Sequence, residues 1–294
     1  MRELDIRELD LGGSPAIAAR VAAIVGSELG GARAAEEIAS TIDFASGTTR
    51  LLGGYVGDEL VCLNAFMRMG FTLGTTRLFG YQSGFSATDK NHRGKGYWPT
   101  LLRAAEDHLA ARDGAFIFGF PNPVSHPLFE RKLNYTTLEL HNIRIACLPL
   151  IGDGAFQRGE KVSDGGDKRL SPDLHDNAAW KRRSDTGHAV FDYAEGESFL
   201  WGKLRAANKF GLAVKFLEIG GFTLARGGDL RRFFRAAAKR AGVRFLYVSM
   251  NPENQYYGEL KFREYGQPLI VKPIGAFRTE DIRIDFFGGM RDTF

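Results

Sequence analysis

Asn91-His92-Arg93-Gly94-Lys95-Gly96-Tyr97-Trp98 follows a strand-like run that ends near Ala87. It precedes an amphipathic segment in which Trp98, Leu101, Leu102, Ala105 and Leu109 share one helical face. A strand, a glycine turn and a helix are therefore expected in that order. Glycines at 94 and 96 let successive backbone N–H groups converge on one point, and the following helix brings the positive end of its dipole there. Arg93 and Lys95 add charge, so the natural occupant is a polyanion.

Upstream, residues 2–10 alternate like a strand, and Ser14-Pro15 opens an Ala-rich helix to about Leu29 with Ser14 as its cap. A second helix is expected over 32–45. Strands are expected over 50–56, 59–70 and 75–87, with Gly57-Asp58 turning the first pair. Downstream, a strand over 115–121 ends in Phe118-Gly119-Phe120-Pro121-Asn122-Pro123; a short helix over 124–133 and a strand over 136–148 follow.

This succession resembles the GNAT acyltransferases (Gcn5-related N-acetyltransferases) closely over roughly residues 50–147. The pattern there is Q/R-x-x-G-x-G/A, then N-x-x-A/S, then a tail like l-Y-x-k-l-G-F. Arg93 matches its Q/R, Gly96 its first glycine, Asn122 and Ser125 its N-x-x-S, and Trp98 stands where Gly or Ala is usual. A Trp there packs on the neighbouring strand or crowds the pyrophosphate path.

The resemblance implies an α+β fold, with a mixed, mainly antiparallel twisted sheet flanked by helices, and acetyl-CoA or another acyl-CoA as cofactor. Ala87 and Thr88 would pair with the pantetheine arm, and Arg93, Gly94, Lys95, Gly96 and Tyr97 would hold the pyrophosphate. Asn122 and Ser125 would meet the thioester end; the bland alternative is that Asn122-Pro123 merely starts a helix.

The implied reaction is acyl transfer, with acetyl the expected group, to a primary amine of a small molecule. Arg93-Gly94-Lys95-Gly96 followed by Gly119-Phe120-Pro121-Asn122, with Trp180 opening the second half, is similar to enzymes acting on amino sugars and polysaccharide precursors. A Fem-like transferase using aminoacyl-tRNA and a non-catalytic CoA-binding module are the alternatives.

Transfer to an amine needs a base for the attacking nitrogen and a proton for the leaving thiolate. The Tyr that often supplies that proton in this superfamily is absent. Its position falls on Phe129 or Glu130, depending on the direction of counting, because the segment is one residue long. Glu130, Tyr81, a water and a residue reaching over from the second domain are the candidate acids, and His126 is either the base or a surface histidine. Asp89 and His92 are expected to cap the turn. His126 and Glu130 are four apart without a third ligand, so no metal site is expected.

The pattern then repeats. Gly84-Phe85-Ser86 returns as Gly221-Phe222-Thr223, Leu101-Leu102 as Phe233-Phe234, and Asn122-Pro123 as Asn251-Pro252, at offsets of 137, 132 and 129. Five residues are missing where the cradle would stand, leaving Ala225-Arg226-Gly227-Gly228-Asp229. Two tandem GNAT-like domains are expected. Residues 1–150 would carry the cofactor cradle and residues 151–172, around Asp164-Gly165-Gly166-Asp167, a linker. Residues 173–294, opening on a helix from Pro172 to Trp180, would be a degenerate copy shaping the acceptor site.

The chain has 294 residues, 44% hydrophobic and 25% charged, with a net charge of +4. That charge suits phosphorylated metabolites and gives no groove for nucleic acid. Lys181-Arg182-Arg183 and Arg231-Arg232 read as solvated faces. Cys62 and Cys147, the only two cysteines, sit in apolar runs and read as reduced thiols in strands. No membrane span or export signal is legible, which points to the cytoplasm. The oligomeric state is open, a dimer among the options.

Overall fold

The protein is described by a computed structural model covering residues 3–29, 35–41, 46–147, 155–156, 169–184, 189–209, 212–278 and 283–290. In chain order the elements are β1 (Asp5–Glu8), α1 (Pro15–Leu29), α2 (Ala35–Thr41), β2 (Thr49–Val56), β3 (Glu59–Leu73), β4 (Thr76–Thr88), α3 (Tyr97–Ala110), β5 (Gly114–Gly119) and α4 (His126–Leu133). There follow β6 (Thr136–Ala146), β7 (Arg169–Pro172), α5 (Leu174–Ser184), β8 (Val190–Glu195), β9 (Ser198–Lys209), β10 (Leu212–Thr223), α6 (Leu230–Ala241), β11 (Phe245–Met250), β12 (Arg263–Pro273) and β13 (Arg283–Ile284). Mixed sheet and flanking helices make this an α+β fold.

The chain divides into two compact units, and neither is a continuous stretch of sequence. The first comprises Met1–Met69, Leu78–Thr137 and Pro268–Arg278. Its strands run in the order β1-β2-β3-β4-β5-β12. Gly57 turns β2 into β3 at φ +64°, and the Ser14 hydroxyl accepts from Ile17 N at 3.4 Å to cap α1. From Leu60 to Met67 β3 is buried without alternation, because both faces of the sheet are covered. Leu101, Leu102, Ala105 and Leu109 of α3 are fully buried against Leu52, Val61, Phe66, Ile117 and Ile270. The helix face expected from the spacing is thus the core face, with Tyr97 and not Trp98 leading it.

Two features of this sheet create the site. β4 pairs in parallel with β5 from Phe79↔Gly114 to Ser83↔Gly119; β5 then ends while β4 continues to Thr88, so the strands part. Two residues past the last pair, Phe85 adopts φ +49°, a left-handed conformation rare for a bulky residue. It breaks the two-residue alternation of β4.

The second unit comprises Gly70–Arg77, Leu138–Gln267 and Thr279–Phe294. Its main strands run β6-β11-β10-β9-β8, with β10 and β11 parallel; β7 pairs with the end of β3, and β13 with β7. Each unit therefore has an antiparallel strand beside the second member of its parallel pair. In the first unit β12 lies against β5, and in the second β6 lies against β11. The 1–150 and 173–294 segments are a division by sequence that these contacts do not follow, because each unit completes its sheet with a strand from the other end of the chain.

Most of the expected linker, including Asp164–Asp167, lies outside the described residues, as do the ends of the helix expected over 32–45. Arg169–Pro172, expected as linker, form β7. The helix placed at Pro172 begins at Leu174, since Asp173 accepts from Asp176 N at 3.0 Å and caps it, and it runs on to Ser184. Lys181 corrects the reading of its run as solvated: it is 2% exposed, with its Nζ 5.0 Å from the Trp180 ring centroid. Cys62 and Cys147 are free thiols, the first buried and the second half-buried; burial pushes them up to about 12 and about 11.

Lys203 on β9 is also fully buried. Desolvation, with Lys181 and Arg205 nearby, pulls its ammonium down to about 7. Between about pH 7 and its ordinary value of 10.5 the unfolded chain binds the proton that the folded chain has lost, so stability contributed by this group rises with pH across that window. We expect Lys203→Met to raise the melting temperature most below pH 7 and progressively less towards pH 10. A difference that is constant with pH would contradict this assignment.

Candidate functional site

A cleft of about 470 Å³ opens in the first unit where β4 and β5 part. β4 supplies Ser86, Ala87 and Thr88; the glycine turn and helix start supply His92, Arg93, Gly94, Gly96, Tyr97 and Trp98; the segment after β5 supplies Asn122, Ser125, Leu128 and Lys132. Of the nine residues expected to hold a cofactor, eight thus line one cavity. Lys95 does not, because its ammonium turns back to Asn91 O at 3.0 Å and braces the turn.

Gly94 and Gly96 have φ of +74° and +77°, and a Cβ added to either would meet nothing within 4 Å. The turn is concave and open above its glycines, and Gly96 caps α3 without a side chain of its own. Asp89 holds the approach: its carboxylate accepts from Asn91 N at 2.9 Å and from Arg20 at 2.8 Å, and the Asn91 bond holds it below the usual carboxylate range. His92 lines the cleft, and its buried Nδ1 has no protein partner.

Asn122 starts the helix and also lines the cleft. Its Oδ1 accepts from Val124 N at 3.0 Å and Ser125 N at 2.9 Å, setting up α4, while the residue remains in the cleft wall. With Oδ1 engaged, its amide NH₂ is the part left to meet a ligand.

Of the three candidate catalytic side chains, His126 and Glu130 come together, 3.5 Å apart, and Tyr81 lies elsewhere. Tyr81 is 1% exposed, and its hydroxyl donates to Asp113 Oδ1 at 2.7 Å. Asp113 precedes β5, at the end of the parallel pair away from the cleft. Burial and this carboxylate push the phenol well above its ordinary value.

On α4, helical spacing turns Ser125, Leu128 and Lys132 to the cleft and His126 and Glu130 to Thr137. Thr137 Oγ1 donates to Glu130 Oε1 at 2.5 Å, and since a hydroxyl has one hydrogen it accepts from His126 Nε2 at 2.9 Å. The neutral ring therefore carries its hydrogen on Nε2 and keeps Nδ1 as its basic atom.

Sequence reasoning passed over Ser86 and Asn64. Asn64 on β3 is fully buried; its Oδ1 accepts from Ser86 Oγ at 2.5 Å and from the Trp98 indole at 3.2 Å, and its Nδ2 donates to Ser83 Oγ at 3.1 Å. Its one sequence signal is an amide inside an apolar run. Trp98 stands edge-on to Phe129, with ring centroids 5.2 Å apart. Among the described residues no group of three His, Cys, Asp or Glu side chains is placed to hold a metal, and no helix is long and apolar enough to cross a membrane.

In the second unit the matching place is differently furnished. Asp229 caps α6, accepting from Arg232 N at 3.0 Å where the first unit has its glycine turn. Asn251, the counterpart of Asn122, is buried, accepting from Phe286 N at 2.9 Å and donating to Ile284 O at 2.7 Å. Tyr256 is buried with its oxygen accepting from Leu224 N, and the Tyr257 hydroxyl meets His141 Nδ1.

The fold is that of the GCN5-related N-acetyltransferases. The structure of such a protein from Kribbella flavida superposes with a TM-score of 0.61 at 14% identity, covering 92% of this chain and 71% of that one. One from Anabaena variabilis gives 0.61 at 10% identity over 93% and 73%. A conserved protein of unknown function from Enterococcus faecalis gives 0.62 at 13% over 93% and 73%. No protein-family profile matches the chain. A DNA ligase of Helicobacter pylori is 25% identical over 169 residues, 55% of this chain; the chain spans about a quarter (24%) of the length of that relative.

Gly96→Glu puts bulk and negative charge into the open turn. We expect the variant to stay folded by circular dichroism and to lose binding of phosphorylated ligands in a titration. Binding equal to wild type would remove the turn from the site.

Proposed function

We infer that the protein is an acyl-CoA-dependent N-acyltransferase, acting in the cytoplasm on a primary amine of a small molecule. The carrying observation is the continuity of the parted strands β4 and β5 with the glycine turn at the start of α3, one cleft with a phosphate-sized cradle at its outer end. In this reading the N–H groups of Arg93–Gly96 and the α3 dipole hold the pyrophosphate, and the arm runs inward past Thr88 and Ala87. Asn122 meets the arm through its amide NH₂. The donor supplies an activated thioester, and the reaction forms a C–N bond and breaks the C–S bond.

The residues of this chain bind, orient and move protons. His126 lies outside the cleft lining but directly follows the cleft-lining Ser125, and is assigned as the base, taking the amine proton on Nδ1 through a bridging water. Thr137, held by Glu130, fixes its tautomer; the leaving thiolate draws its proton from water. The likeness to enzymes of amino sugars and polysaccharide precursors supports an amino sugar or sugar nucleotide as acceptor. The organisation proposed is tandem, with the donor in the first unit alone, since Asp229 and the engaged Asn251 leave no comparable cradle in the second.

Thermal shift with acetyl-CoA, propionyl-CoA and free CoA tests the reading: stabilisation by each is expected, and no shift with any of them would sink it. A thiol-release assay over a panel of amino sugars then finds the acceptor. His126→Gln is expected to lower kcat by about 10²–10⁴ with little change in donor affinity. Thr137→Val, which frees the ring's tautomer, should lower it less, and an unchanged kcat in His126→Gln would move the base elsewhere.

A further inference from the structure

Where β4 and β5 part, beside the cleft, lies an arrangement that the glycine turn does not require. In an unbroken strand Ser83 and Ser86, three residues apart, would face opposite sides of the sheet. The left-handed Phe85 between them cancels the alternation, and both hydroxyls reach the amide of Asn64, which is itself fully buried. The same amide oxygen takes the indole N–H of Trp98 at 3.2 Å, and the Trp98 ring stands edge-on to Phe129.

These bonds locate the indole. Ser83 is the last residue of β4 paired with β5, so Trp98 is joined through a single amide to the apex of the parting strands. Trp98 follows the glycine turn, lines the cleft and bonds Asn64 through its indole N–H.

We propose that Trp98, held by Asn64 and backed by Phe129, is the end wall of the acyl subsite and restricts the donor to short acyl groups of two or three carbons. The proposal rests on the acyl-CoA reading above. Asn64 is a positioning residue: without its oxygen the indole N–H loses its buried acceptor and the ring is free to leave this rotamer. A longer acyl chain entering along β4 meets the indole, which the buried network keeps from swinging aside.

The test compares acetyl-, propionyl- and octanoyl-CoA, by titration and by steady-state kinetics, in wild type, Trp98→Ala, Trp98→Leu and Asn64→Leu. Wild type is expected to use the two short donors and to discriminate against octanoyl-CoA. Trp98→Ala should shift the octanoyl-to-acetyl ratio of kcat/KM by about tenfold or more. Asn64→Leu should give a smaller shift in the same direction, which a purely structural role would not produce. If Trp98→Ala does not fold, Trp98→Leu decides by the same ratio.

Equal use of octanoyl- and acetyl-CoA by wild type, or an unchanged ratio in the folded position-98 variant, overturns the wall. Failure of wild type to bind any acyl-CoA overturns the function itself, a distinct outcome.

Discussion

The parallel pairing of β4 with β5 stops at Ser83 and Gly119, and everything at the candidate site depends on that stop. A parallel pair that continued would satisfy its backbone groups internally and leave no room for a ligand. Here β4 runs on alone to Thr88, with the left-handed Phe85 two residues beyond the last pair. Such a conformation costs on the order of 1–3 kcal/mol and persists only where the surroundings over-determine it. Those surroundings are the amide of Asn64, which draws Ser83 and Ser86 to one side, and Trp98 with them.

The two units use one plan for different ends. In the first, the asparagine after β5 sets up α4 through its oxygen and lines a cleft. In the second, Asn251 spends both ends of its amide on Ile284 and Phe286 of the same chain, and Phe287 packs its ring 5.4 Å from Phe222. An extended backbone held by an asparagine amide thus sits at the counterpart of the cleft.

Glycine turn, helix face, the succession of elements along the chain and the loss of the turn after β10 were all legible in the sequence, because each rests on local spacing. Leu101, Leu102, Ala105 and Leu109 could only be a helix face, and two glycines two apart before such a face make a turn of positive φ. Roles that depend on direction were not legible. Tyr81 looked available as an acid and is turned to Asp113; Glu130 and His126 sit on the flank of α4 away from the cleft, with Thr137; Lys181, in a run of three cations, is buried.

By itself the sequence determined the elements and the glycine turn, since backbone propensity and periodicity are carried by neighbours along the chain. Only the tertiary structure decided that β12 completes the first sheet and β6 the second, because strand pairing is chosen by long-range contacts that spacing does not encode. It likewise decided the fate of Trp98, the residue out of place in the Arg93-Gly94-Lys95-Gly96 pattern. A buried amide thirty-four positions away, on β3, holds its indole at the cleft wall.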